Sequence, residues 1–188
     1  MRSSLNAILG FTQLLDMSVE GLLPDTQRRQ VGHIHTAGQQ LLGLLDQALT
    51  YASLETKPLS LRPQRIELSV LLREIRLELE GEALAHDITV LLDGPALTLW
   101  ADPKHTRGIL VNLVRNAIKF SPGGASVWLQ SRAAPNERVA LIEVRDQGFG
   151  IEPGDQERIF QPFVQLESAN GRSHGNGLGL AVSQRLAE

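Results

Sequence analysis

The chain reads as an α+β protein in two parts, an antiparallel helical hairpin followed by a mixed layer of helices and strands. Three observations predict this. Apolar residues recur at steps of three and four from Leu5 to Ala52, as on amphipathic helices. Pro58 and Pro63 then mark a break at which the composition changes. Beyond it, strand-like and helix-like segments follow one another without regular alternation, which favours an α+β layer over a doubly wound sheet.

The bulk composition narrows the function classes. The 188 residues are 42% hydrophobic, enough to bury a core, and the formal net charge of -3 offers no general attraction for nucleic acid or an anionic membrane. The absence of cysteine excludes disulfides, thiolate catalysis and cysteine-ligated zinc, and fits a cytoplasmic location. No apolar run approaches the ~20 residues that span a bilayer, and the opening Met-Arg-Ser-Ser-Leu-Asn lacks the apolar stretch of a signal peptide.

The first helix is expected from Leu5 to Val19, with Leu5, Ile8, Leu9, Phe11, Leu14, Leu15 and Val19 on its apolar stripe. Gly21, Pro24 and Asp25 interrupt it, and Asp25 is suited to cap the next helix, Thr26 to Leu54. There Ile34, Gly38, Leu41, Leu45, Ala48 and Ala52 form a heptad-like seam. A lone hairpin is too thin to cover both its stripes. The seam is therefore expected either to pair with a second copy in a four-helix bundle or to dock on the remainder of the chain.

Residues 57–64 read as a linker, and 65–188 as one domain after a hairpin domain of 1–56. Within the second domain, Arg65 to Leu68, Ile88 to Leu92, Leu97 to Trp100, Val127 to Ser131 and Val139 to Arg145 are expected strands. Ser69 to Ala85, Thr106 to Phe120 and Ala181 to Leu186 are expected helices.

Three clusters carry chemistry. In Asn112-Leu-Val-Arg-Asn116-Ala-Ile-Lys119-Phe120, the two asparagines are four apart and share a helix face. Amide oxygens are hard, neutral ligands suited to a magnesium ion that keeps most of its waters. An asparagine pair also serves ordinary surface or capping roles. In Asp146-Gln-Gly148-Phe-Gly150, a carboxylate at a strand end can accept from an exocyclic amine, and the glycines admit a flat ligand close to the backbone; a plain turn is the alternative. In Gly175-Asn-Gly177-Leu178-Gly179-Leu180, glycines precede a helix whose free amides can cradle phosphates. A dinucleotide fingerprint would need a strand before the glycines, and the polar stretch Glu167 to His174 supplies none.

In order and spacing the three clusters resemble the nucleotide-binding boxes of the ATPase superfamily that joins histidine kinases, gyrase, Hsp90 chaperones and mismatch-repair ATPases. Phe160-Gln-Pro-Phe163 resembles the phenylalanine box of histidine kinases, and Asn-Ala-Ile-Lys-Phe-Ser at 116–121 their asparagine box. Arg2-Ser-Ser-Leu-Asn-Ala-Ile-Leu-Gly-Phe11 is similar to the tail of their histidine box. The resemblance implies the core of a bacterial sensor histidine kinase: a dimerisation hairpin and a two-layer α/β sandwich ATPase domain. The implied function is Mg-ATP-dependent phosphorylation of a histidine and relay to an aspartate on a response regulator.

The resemblance further implies that Asn116, helped by Asn112, holds magnesium against the phosphates of ATP, with Lys119 and Phe120 nearby. It gives Asp146 the adenine amino group, Gly148 and Gly150 the base pocket, and Gly175, Gly177, Leu178, Gly179 and Leu180 the triphosphate turn. Residues 161–174 would be an ATP lid anchored by Phe160 and Phe163. The implied partners are a second copy, in a homodimer, and a response regulator. The core would be cytoplasmic, in a parent protein with room for a membrane anchor or an upstream sensor.

The chain departs from that pattern at both ends. Alignment of Met1-Arg-Ser-Ser-Leu-Asn6 puts the phosphorylated histidine two positions before Met1, so no catalytic histidine is expected here, and none of His33, His35, His86, His105 and His174 replaces it by pattern. The family sheet continues past the helix at Ala181, so the ATPase domain is expected to be incomplete and ATP binding weakened. Ser3 and Ser4 stand at the family's threonine and proline. Ser4 predicts a straighter helix than proline allows, and Ser3 keeps a hydroxyl for a phosphatase water, or is a plain N-cap. The alternative to a kinase core is a non-catalytic dimerisation and regulatory module with a degenerate phosphoacceptor.

Overall fold

A computed structural model describes residues 2–18, 24–56, 60–134, 139–166 and 177–188. The chain divides into two compact units, Met1–Thr56 and Lys57–Glu188. Among the described residues, no helix is long and apolar enough to cross a membrane.

The first unit is a hairpin of α1 (Arg2–Ser18) and α2 (Asp25–Thr56). The second helix starts one residue earlier than its apolar pattern indicates, because the Pro24 carbonyl accepts from the amides of Gln27 and Arg28 and draws Asp25 into the first turn. The two helices touch through Leu5, Leu9 and Thr12 on one side and His35 and Gly38 on the other. A β-carbon added at Gly38 would lie 2.9 Å from Leu9 Cδ2, so glycine sets the closeness of approach. The hydroxyl of Thr12, itself buried, donates to the Leu9 carbonyl and lies 2.9 Å from His35 Nδ1. Only Gly38 of the expected seam is buried by this packing. Ile34 and Leu41 remain about half exposed, as do Ile8, Phe11 and Leu14 on α1.

The second unit contains β1 (Gln64–Glu67), α3 (Leu68–Glu78), α4 (Glu80–Ala85), β2 (Thr89–Asp93), β3 (Thr98–Ala101), α5 (Pro103–Phe120), β4 (Ser126–Ala133), β5 (Ala140–Arg145) and α6 (Gly179–Ala187). A 3₁₀ turn, Arg158–Phe160, lies between β5 and α6. Strand β4 is central: β2 pairs with it in parallel and β5 antiparallel, while β1 and β3 form a separate antiparallel pair. Alternation along β4 turns Val127, Leu129 and Ser131 inward, where helices α3, α4 and α5 cover that face of the sheet. Leu68, Ile75, Leu79, Val114 and Ile118 meet Val127 and Leu129 in one core, so the architecture is α+β in two layers.

The expected single helix from Ser69 to Ala85 is in fact two. Leu79 is wholly buried in the core at φ -94°, ψ 2°, off the helical values, and Gly81 just beyond it is a poor helix former that does little to carry the ladder on. The start of α5 is extended to Pro103, since Asp102 caps it by accepting from the His105 amide and Pro103 suits the first helical turn.

Candidate functional site

Helix α5 is the backbone of the candidate site. Its inner face is anchored by Leu110, Val114, Ala117 and Ile118, which leaves Asn112, Asn116 and Lys119 half-buried. The Asp146-Gly148 turn and the glycine turn before α6 both reach this helix, at different heights along it.

At the C-terminal end of α5, Asp146 follows β5 and its Oδ1 accepts from the Gly148 amide at 2.8 Å, closing a tight Asx turn. Gly148 is required by close approach: a β-carbon there would lie 2.8 Å from the Phe120 carbonyl oxygen and 2.9 Å from Asp146 Oδ1. The Phe120 ring packs edge-to-face on Phe149, with centroids 5.8 Å apart, and Lys119 Nζ lies 4.6 Å from the Phe120 ring centroid. Burial lowers the Lys119 ammonium's pKa from the ordinary lysine value, because partial desolvation disfavours the charged form. A phosphate anion is the kind of partner that would restore it.

Nearer the middle of α5, the turn into α6 is held from two sides. The Phe163 amide donates to the Gly177 carbonyl at 2.9 Å, and Phe163 itself stands at φ 63°. Gly177 has φ 66°, and a side chain there would strike the Phe163 backbone at 2.6 Å, so both conformation and space demand glycine. Leu178 is buried as the residue before α6. On α5, Asn112 donates from Nδ2 to Ser183 Oγ at 2.9 Å, and its Oδ1 sits 2.3 Å from where a β-carbon on Gly179 would be. Asn116 makes no hydrogen bond among the described residues.

Along α5, Asn112 and Phe120 are eight residues apart, a rise of ~12 Å at 1.5 Å per residue, with Asn116 midway. The Gly179 end of the site meets the helix at Asn112 and the Asp146 end meets it at Phe120. Leu180 and Phe160 lie in the same region, on α6 and on the 3₁₀ turn that packs against it. Gly150 has φ 75° with open space around it. Gly175 and His174 lie outside the described residues, as does most of the expected lid; Ser3 and Ser4 are within α1, and their side chains are outside the described set.

Comparison with known proteins converges on one assignment. Residues 1–57 match the His Kinase A (phospho-acceptor) domain, and residues 101–188 match the histidine kinase-, DNA gyrase B- and HSP90-like ATPase family. The chain belongs to the sensor histidine kinase family. It is 32% identical, over its whole length, to the circadian input-output histidine kinase CikA of Synechococcus elongatus, and 32% identical over 99% of its length to the signal transduction histidine-protein kinase BarA of Escherichia coli. It spans 25% and 21% of those two relatives. Among solved structures, full-length ShkA in complex with AMPPNP superposes with a TM-score of 0.78 at 33% identity, covering 99% of this chain and 38% of that one.

Two residues that the structure adds to the candidate site escape sequence reasoning. Ser183 is four residues beyond Gly179 and so shares its helix face, a spacing legible in the sequence but unremarkable in an apolar helix. Phe149 lies between two glycines, and nothing local indicates that it packs on Phe120. Among the described residues there is no group of three His, Asp or Glu side chains able to hold a metal ion. An asparagine carboxamide oxygen, which that grouping leaves out, is a hard neutral donor of the kind a magnesium ion accepts.

Proposed function

We propose that this chain acts as the catalytic core of a two-component sensor kinase, binding Mg-ATP in its second unit for phosphorylation of a histidine and relay to a response-regulator aspartate. One observation carries the reading: α5 holds an aspartate-glycine turn at one end and the glycine turn of α6 ~12 Å away, and between them stand a half-buried lysine and an asparagine with no hydrogen bond among the described residues. That is the layout a purine nucleotide triphosphate needs, base at one end and phosphates at the other.

In this reading Asp146 receives the adenine amino group. Its Oδ1 already accepts from Gly148, but a carboxylate has about four acceptor sites and keeps Oδ2 for a ligand. Gly148 and Gly150 leave room for the base, Asn116 serves the magnesium, and Lys119 offsets phosphate charge. Bound magnesium supplies charge neutralisation at the phosphates. Gly177 and Gly179 present the backbone of the α6 turn to the phosphates, a role shared by Gly175 in the sequence before them, and Phe160 and Phe163 anchor the lid segment. All of this is positioning and electrostatics, which is what phosphoryl transfer asks of a protein.

The hairpin supports the second half of the reading. Its packing leaves Ile8, Phe11, Leu14, Ile34 and Leu41 largely uncovered, a surface suited to a homodimer through a four-helix bundle.

Calorimetry with ATP tests the site. Asn116→Ala should abolish the magnesium-dependent part of the affinity, whereas Asp146→Asn should weaken binding with and without metal, each by roughly tenfold to a hundredfold. Equal affinity in the parent chain and both variants would overturn the assignment. Binding of ATP with no phosphotransfer in a full-length protein would favour the regulatory, non-catalytic alternative.

A further inference from the structure

Asn112 and Asn116 share a helix face one turn apart, and the fold gives them different surroundings. Asn116 is half-buried and hydrogen-bonds to nothing among the described residues. Asn112 is held by its amide nitrogen: Nδ2 donates to Ser183 Oγ at 2.9 Å, while Oδ1 occupies the space beside Gly179, 2.3 Å from where a β-carbon there would be. Ser183 is 4% exposed, so its hydroxyl is paired inside the protein and away from solvent. Gly179 and Ser183 are one turn apart on α6, and the Asn112 side chain lies along that turn like a rung between the helices.

We propose that Asn112 and Ser183 form a latch that fixes the start of α6 against α5, Asn112 serving as a positioning residue for the phosphate-facing turn and Asn116 alone as the magnesium ligand of the pair. The argument is one of competition. An amide whose nitrogen donates to a buried hydroxyl and whose oxygen fills the space beside Gly179 must give up that placement to turn toward a cation. Breaking the bond would also leave the buried Ser183 hydroxyl without a partner among the described residues, a cost that a magnesium ion content with water ligands does not oblige the protein to bear. The same packing explains Gly179: any larger residue would push Asn112 off Ser183.

The proposal rests on the nucleotide reading above and refines it. Its test is a double-mutant cycle of Asn112→Ala and Ser183→Ala in the 188-residue chain, with affinities for ATP and adenosine measured in magnesium and in chelator. Each single variant should lower ATP affinity by roughly three- to tenfold in both media, the double variant should be no worse than either, and adenosine binding should be unchanged. Ser183→Thr, which keeps the hydroxyl, should restore the ATP-to-adenosine ratio. A loss in Asn112→Ala that vanishes in chelator, with Ser183→Ala unaffected, would show Asn112 to be a metal ligand and overturn the latch. A fall in melting temperature with an unchanged ATP-to-adenosine ratio would reduce the contact to plain packing and overturn it equally. If the parent chain binds neither ATP nor adenosine, the nucleotide reading itself fails, a result distinct from both.

Discussion

Gly148→Ala challenges the close approach between the aspartate turn and α5. The added β-carbon would sit 2.8 Å from the Phe120 carbonyl oxygen, about 0.6 Å inside ordinary contact, and 2.9 Å from Asp146 Oδ1. The carbonyl belongs to the last residue of α5 and the carboxylate is held by the Gly148 amide, so neither is the loose end of a flexible side chain. Overpacking of this kind costs about 1–3 kcal/mol, which for a unit of this size lowers the melting temperature by about 3–9 °C. Displacement of Asp146 should also weaken ATP by roughly tenfold, the worth of one charge-assisted hydrogen bond. The control is Gly154→Ala in the same loop, where an added carbon meets nothing within 4 Å and the backbone is not left-handed. That variant should be neutral or stabilised by about 0.4–1 kcal/mol through the unfolded chain. Thermal melts and ATP titrations of the two variants side by side decide the matter. If both melt and bind like the parent, the contact between Gly148 and α5 is not made.

Leu41→Glu with Leu45→Glu should convert a dimer to monomers in light scattering, since both leucines lie on the hairpin and Leu41 is half exposed; a monomeric parent chain would remove the basis for the bundle. Thr12→Val keeps the shape of a buried residue but takes the oxygen from His35 Nδ1, and should destabilise the hairpin by about 1–2 kcal/mol in thermal melts, with no change counting against an interhelical role. Asp102 caps α5 and accepts from the Arg62 amide, and these bonds, Arg62 first and His105 second, hold its carboxyl below the ordinary aspartate value. A carboxylate with a depressed folded pKa stabilises the fold above its unfolded value, and that contribution is lost as pH falls through the folded one. The stability gap between the parent and Asp102→Asn should therefore be present above about pH 4 and close in more acid solution; a gap independent of pH down to acid unfolding would refute the linkage.

The sequence alone determined what is local. Helix periodicity placed α1, α2 and α5 within a few residues of their observed ends, because the hydrogen bonds and apolar stripes of a helix are set by near neighbours. It grouped Asn112 with Asn116 and Asp146 with Gly148, since each pair sits on one turn or one strand end. Only the tertiary structure decided what depends on packing at a distance. The break at Leu79 follows from burying that side chain against strands far along the chain. Which hairpin residues are covered depends on the crossing of α1 with α2, which selected Gly38 and His35 and left Ile34 and Leu41 outside. The bond from Asn112 to Ser183 joins residues 71 apart, and the contact of Gly148 with Phe120 joins two separate clusters. Such pairings are set by how the helices seat on the sheet, a property of the whole core that no single stretch of sequence carries.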